Sequence, residues 1–210
     1  GLLDAVEQSG HFEVIADLAY PLPVAVICRL LGVPLEDEPQ FSRASALLAQ
    51  GLDPFIAFTG AAPGFEDRLE AGLWLRQYLR GLLERRRAEP GDDLMSGLIA
   101  VEESGDQLTE DEIVATCNLL LIAGHETTAK ALTWTLYLLA RAPEWQDRVR
   151  SEVADVCGGE RVGARHLDRL KLTTRVLKEA MRLYPPVPVM TRVASREVEI
   201  RGWKLLPGTL

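Results

Sequence analysis

The sequence predicts a mainly α protein with a small β-hairpin region near its C-terminus. Three observations carry that reading. Apolar residues recur at helical spacing through most of the first two-thirds, between short loops. One helical pattern opens at Thr109 and meets no stop signal until Pro143. Near the end, "REVEIRGWKLL" alternates in period two about Arg201-Gly202, which reads as a hairpin.

Composition narrows the function classes. The 210 residues, 47% hydrophobic and 26% charged, suit one soluble globular core. Lys and Arg number 23 against 31 acidic residues, a net charge of −8, which argues against nucleic-acid binding. Cys28, Cys117 and Cys157 are scattered without a C-x-x-C, so they read as reduced thiols of a cytoplasmic protein. No membrane span is expected: Ile113 to Gly124 is uncharged, but His125 and Glu126 interrupt it well short of the roughly 20 residues a span needs. Gly1 stands where Met would, and the closing "LPGT" is a turn that should lead into a further strand. The chain is therefore expected to be an internal piece of a longer protein.

The elements follow in order. "LPVAVICRLLG" is helical and stops at Gly32 before Pro34. "EDEPQFSRASALLAQG" reads as a helix that Pro39 makes ambiguous. "FEDRLEAGLWLRQYLRGLLERRRAEPG" is amphipathic, with an acidic start and a basic end that suit the helix dipole. Its arginine run reads as a solvated helix end. Asp92 or Asp93 can cap "LMSGLIAVEES". Thr109 and Glu112 form a capping box for the long helix, with Leu108 and Ile113 as its staple. About 32 residues at 1.5 Å each make it roughly 48 Å long. A helix from Pro143 to about Val156, a loop or short helix, and a helix over "LTTRVLKEAMRLY" come next. Pro185, Pro186 and Pro188 then force extended backbone.

Inside the long helix, "LLLIAGHETTAK" breaks local rules. Gly124 costs about 1 kcal/mol against Ala, and His125, Glu126, Thr127 and Thr128 follow it directly. Such breaks mark functional sites. At 100° per residue, Leu120, Ala123, Gly124 and Ala131 lie within about 60° of Thr127. That small-residue stripe admits a large flat object, or a second helix. Thr127 can bond back to the Ala123 carbonyl and loosen the helix at Gly124. Glu126 lies one step beside the stripe, so a hydroxyl and a carboxylate form the parts of a short proton relay. His125 points to the opposite side and reads as a packing or solvent-contacting residue. H-E-x-x-H zinc binding is excluded because position 129 is Ala. In "LKEAMRLYPP", Glu179 and Arg182 sit three apart and can pair. Glu179 lies at the edge of the apolar arc, so it is expected to be partly buried and to need that partner.

Together these stretches resemble the cytochrome P-450 family of haem-thiolate monooxygenases. "AGHETT" (123–128) resembles its A/G-G-x-D/E-T-T/S motif, "EAMR" (179–182) its E-x-x-R helix, and "RLYPPVPVMTRVA" the segment after it. "ADLAYPLPVAVICRLLGVP" is similar to the helical region of soluble bacterial members. The resemblance implies haem b as cofactor. Thr127 and Glu126 would deliver protons to the dioxygen being activated. Ala123, Gly124 and Thr127 would meet the distal face of the haem, and Arg192 would hold a propionate. Leu119, Leu120, Val187, Val189 and Met190 would border the substrate pocket, and Glu179 with Arg182 would support the core. The partners implied are a small apolar organic substrate and an electron donor of ferredoxin or flavodoxin type.

The family's F-x-x-G-x-R-x-C-x-G loop, which ligates iron, is absent, so no metal ligand is expected in this chain. Residues 1–210 thus read as the central part of such a domain, inert by itself. Two alternatives stand: a peroxide-using enzyme of the same fold, and a non-enzymatic helical ligand-binding module.

Overall fold

The computed structural model describes residues 2–4, 10–51, 64–103, 108–190 and 192–209. Helix α1 spans Pro21–Leu31 and buries Val24, Ile27, Cys28 and Leu31 on one face. Pro21 suits its first turn, and Gly32, at φ 74°, closes it in a left-handed cap. A π-helical turn over Ile15–Ala19 precedes it and was not expected. Pro21 and Pro23 have no N–H to give the carbonyls one turn back, so the chain enters through a wider turn closed from Tyr20 N to Ile15 O.

After a 3₁₀ turn at Leu35–Asp37, α2 spans Glu38–Gln50. Pro39 falls in its first turn, where a missing N–H costs nothing, so the ambiguity resolves to a helix start. Helix α3 (Phe65–Ala88) buries Leu75, Leu79, Leu82 and Leu83. Helix α4 (Leu94–Glu103) is capped by Asp93, whose Oδ1 accepts from Ser96 N at 2.8 Å. The arginine run is not merely solvated. Arg86 donates to Asp93 (2.6 Å) and to the Gly32 carbonyl (2.7 Å), tying α3 to the end of α1, and Arg87 pairs with Glu102.

Helix α5 spans Glu110–Ala140, 31 residues, behind the expected capping box of Thr109 and Glu112. Its first half supplies Ile113, Val114, Cys117 and Leu121 to a core shared with Val24, Leu31, Phe41, Leu79 and Met95. Its second half meets α6 (Pro143–Cys157) and α7 (Lys171–Leu183), which a 3₁₀ segment at Ala164–Arg169 separates. Trp134 of α5 stacks on Tyr184 just after α7, with centroids 4.0 Å apart. Strands β1 (Val198–Ile200) and β2 (Trp203–Leu205) pair antiparallel, with Ile200 opposite Trp203. Arg201 (φ 52°) and Gly202 (φ 83°) both take left-handed backbone, which the two-residue hairpin turn requires. Several apolar side chains stay exposed on helix faces, among them Leu22, Val26 and Leu30 on α1 and Leu69 and Leu73 on α3.

Helix α7 receives its N-terminal cap from another element. Glu152 of α6 accepts from the backbone N–H groups of Leu172 (2.5 Å) and Thr173 (2.8 Å) and from the Thr173 hydroxyl (2.8 Å). Burial opposes ionisation of Glu152, but these donors outweigh it and hold its pKa below the usual carboxylate value. A lowered folded pKa stabilises the fold above the unfolded value and is lost as pH falls through the folded one. Glu152→Gln should therefore destabilise the chain at neutral pH and flatten its acid unfolding curve below about pH 4.5. Circular dichroism during acid titration checks this; superimposable curves would refute the remote cap.

Candidate functional site

The site lies on two turns in the middle of α5. Thr127 Oγ1 donates to the Ala123 carbonyl at 2.7 Å, and Thr128 Oγ1 donates to the Gly124 carbonyl at 2.9 Å. These back-bonds satisfy both hydroxyl hydrogens within the helix. The Thr127 oxygen keeps its lone pairs for an acceptor role. Glu126 sits beside it with a side chain 27% exposed, its Oε1 3.1 Å from Lys130 Nζ. The structure thus brings Ala123, Gly124, Glu126 and Thr127 together, with Ala123 and Gly124 exposed and Thr127 half-buried.

Other expected site residues divide. Leu119 is 66% exposed on α5, whereas Leu120 packs against the buried core. At Gly124 a Cβ would come 3.2 Å from Ile27 Cδ1, so the glycine admits a close approach by α1. The small stripe therefore serves helix packing at Gly124 and stays open at Ala123. Val187, Val189, Met190 and Arg192 lie exposed on the extended segment after α7.

The expected burial of Glu179 is not found. Arg182 Nε and Nη2 donate to its two oxygens at 2.8 and 2.7 Å, but the side chains are 56% and 67% exposed. Among the described residues the cover on α7 buries Ala180 and part-buries Leu172, Thr173 and Val176, but leaves Glu179 exposed. The arginine hydrogen bond lowers the Glu179 pKa and raises that of Arg182. Solvent screens so open a pair, so Arg182→Ala in this chain should move the thermal midpoint by no more than about two degrees. A large drop in a melting curve would show that the pair carries the fold.

Lys130, Ser45 and Tyr20 also belong to the site and were not singled out from sequence. Lys130 stands four residues after Glu126, a spacing that could have flagged it. Ser45 reaches His125 Nδ1 at 3.1 Å across 80 residues, and Tyr20 meets the same ring edge-on at 5.4 Å. Burial, then the negative charge of Glu126, raises the Tyr20 pKa. His125 itself is buried, and its Nε2 has no hydrogen-bond partner among the described residues. Of the two roles expected for His125, packing or solvent contact, the structure shows the packing one, with Nδ1 held and Nε2 facing Glu126 at 3.8 Å.

A family model for cytochrome P-450 matches residues 66–210. The chain belongs to the cytochrome P-450 family. Nocardicin C N-oxygenase of Nocardia uniformis subsp. tsuyamanensis is 35% identical over 205 residues, covering 96% of this chain and 45% of that protein. The ligand-free crystal structure of Mycobacterium smegmatis CYP164A2 superposes with a TM-score of 0.82 at 50% identity, covering 99% of this chain and 49% of that one. Bacillus megaterium CYP109E1 in complex with testosterone gives a TM-score of 0.78 at 32% identity, covering 99% and 49%. The chain spans about half the length of the curated relatives it matches.

Haem b is the cofactor of cytochrome P-450 proteins. The α5 strip fits one side of a flat macrocycle: Ala123 is exposed and small, and the Thr127 hydroxyl hydrogen turns into the helix. The thiols do not fit the other side. Cys28, Cys117 and Cys157 are all buried. Burial pushes the Cys28 thiol up to about 12 and the Cys117 thiol up to about 11, the reverse of what a thiolate ligand needs. Among the described residues no group of His, Cys, Asp and Glu could hold a metal ion, and no helix is long and apolar enough to cross a membrane.

Proposed function

We propose that residues 1–210 are the central, oxygen-handling part of a haem-thiolate monooxygenase that oxidises a small, mostly apolar organic substrate. The observation that carries this is the Thr127 hydroxyl, bonded to the Ala123 carbonyl beside the part-exposed Glu126. Haem b, when bound, supplies the one-electron and dioxygen chemistry. The chain's own residues manage protons and space.

With its hydrogen committed to Ala123, Thr127 Oγ1 accepts a hydrogen bond from a water molecule and so orders that water over the strip. Glu126 takes a proton from solvent on its Lys130 side and, by side-chain rotation, returns it toward Thr127. Ala123 keeps the strip open, and Arg192 would hold a haem propionate through a charge-assisted bond. Leu119, Val187, Val189 and Met190 offer exposed apolar surface for the substrate, and Leu120 backs that wall from the core. The testosterone held by the Bacillus megaterium relative is in keeping with an apolar substrate. A ferredoxin- or flavodoxin-type protein delivers the electrons, and the reaction runs in the cytoplasm.

The test uses the intact protein with a reducing system and isotopically labelled dioxygen. The proposal expects one labelled oxygen atom in the product and none without reductant. Product formed from added peroxide alone, with no label from dioxygen, would instead assign the peroxide-using reading.

A further inference from the structure

His125 has no task in the relay just described, yet its surroundings are specific. The residue is 1% exposed. Its Nδ1 lies 3.1 Å from the Leu121 carbonyl and 3.1 Å from Ser45 Oγ. A carbonyl only accepts, so Nδ1 carries the hydrogen, and in the neutral ring Nε2 is a bare lone pair. That Nε2 is buried without a hydrogen-bond partner among the described residues. Buried polar atoms left unpaired are rare and ask for an explanation. Glu126 Oε2 stands 3.8 Å from it, and a shift of about 1 Å would make the contact a hydrogen bond.

We propose that His125 is a positioning residue for Glu126: Nε2 and Oε2 share one hydrogen, and this bond sets which way the carboxyl group faces. Two proton placements satisfy the pair. A protonated Glu126 donates O–H to Nε2, or a doubly protonated His125 donates Nε2–H to the carboxylate. Ser45 of α2 and the edge-on Tyr20 ring restrain the imidazole, and the Tyr20 hydroxyl is itself held by the Ser42 carbonyl at 3.2 Å. From α1 the neighbour at this turn is the apolar Ile27. Among the described residues Lys130 on the same helix pairs with Glu126, and Glu38 at the start of α2 acts on Tyr20 together with Glu126. Lys130 pulls on Oε1 from the solvent side. His125 opposes that pull from inside the fold. Without it, Glu126 belongs to Lys130 alone and turns away from Thr127.

The consequence for catalysis rests on the proposed relay; the pair itself does not. The first measurement is therefore independent of turnover. Nitrogen-15 imidazole resonances of His125 are recorded in the intact, haem-loaded protein, held in its diamagnetic reduced carbon monoxide form. Glu126→Ala removes the group that faces Nε2 and should shift the Nε2 resonance while leaving Nδ1, held by the Leu121 carbonyl, in place. An unmoved Nε2 resonance overturns the proposal. The second measurement is product formed per reducing equivalent. His125→Asn keeps a nitrogen for the Leu121 carbonyl but has none beside Glu126, and should lose coupling severalfold. His125→Gln restores an amide at the Nε2 position and should recover most of it. Wild-type coupling in His125→Asn overturns the positioning role. If Thr127→Ala also stays fully coupled, the relay reading fails, and the resonance shift alone decides the pair.

Discussion

Thr127→Ala in the intact protein should continue to consume reducing equivalents while peroxide release replaces product. Product per reducing equivalent should fall roughly tenfold or more, the scale on which one positioned proton-transfer group acts. The fold should not suffer. Among the described residues Thr127 Oγ1 bonds within its own helix, to the Ala123 carbonyl. Exchanging a β-branched residue for alanine there improves helix propensity by about 0.5 kcal/mol. Haem content and thermal midpoint should thus stay at wild-type values, which separates lost proton delivery from lost structure. Unchanged coupling would remove Thr127 from the relay.

Phe41→Ala should have the largest effect on stability. The ring is fully buried between α2 and α3, and it meets Tyr78 edge-on at a centroid distance of 5.7 Å. Tyr78 in turn stacks on Trp74 and donates its hydroxyl to Asp37 at 2.6 Å, so the cavity would open beneath a constrained cluster with little freedom to collapse. The expected cost is about 3–5 kcal/mol. For a chain of this size that lowers the thermal midpoint by roughly 6–20 °C. Helix α2 also carries Ser45, the restraint on His125, so loosening α2 should blur the ring's position as well. A melting curve by circular dichroism decides it, and a shift under about two degrees would show that the site refills.

What could be read from sequence was what is local. The capping box of α5 lies within four residues, and the hairpin turn at Arg201-Gly202 within two, so both appear where the sequence puts them. The same holds for the back-bond of Thr127, an i to i−4 contact fixed by helix geometry. What was not legible depends on partners far along the chain. Nothing in "GHETT" names Ser45 or Ile27 as neighbours, and Glu152 caps α7 from 20 residues away. Glu179 was misjudged because its place on the apolar arc implied a cover that α5 and α6 do not extend to it. The π-helical turn before α1 arises from two prolines acting on the turn upstream, an effect that periodicity does not register.

The central claim is that this chain carries the distal, proton-handling side of a cytochrome P-450 and that none of its cysteines is the haem ligand. Cys28, Cys117 and Cys157 are all buried, and burial raises the pKa of the first two thiols. A thiolate beneath the iron needs the opposite environment. The carbon monoxide difference spectrum of the reduced, haemin-titrated 210-residue chain tests this directly. The account predicts no band of the thiolate-ligated type at any haemin ratio. A stoichiometric thiolate-type band that disappears when Cys28, Cys117 or Cys157 is replaced would contradict it.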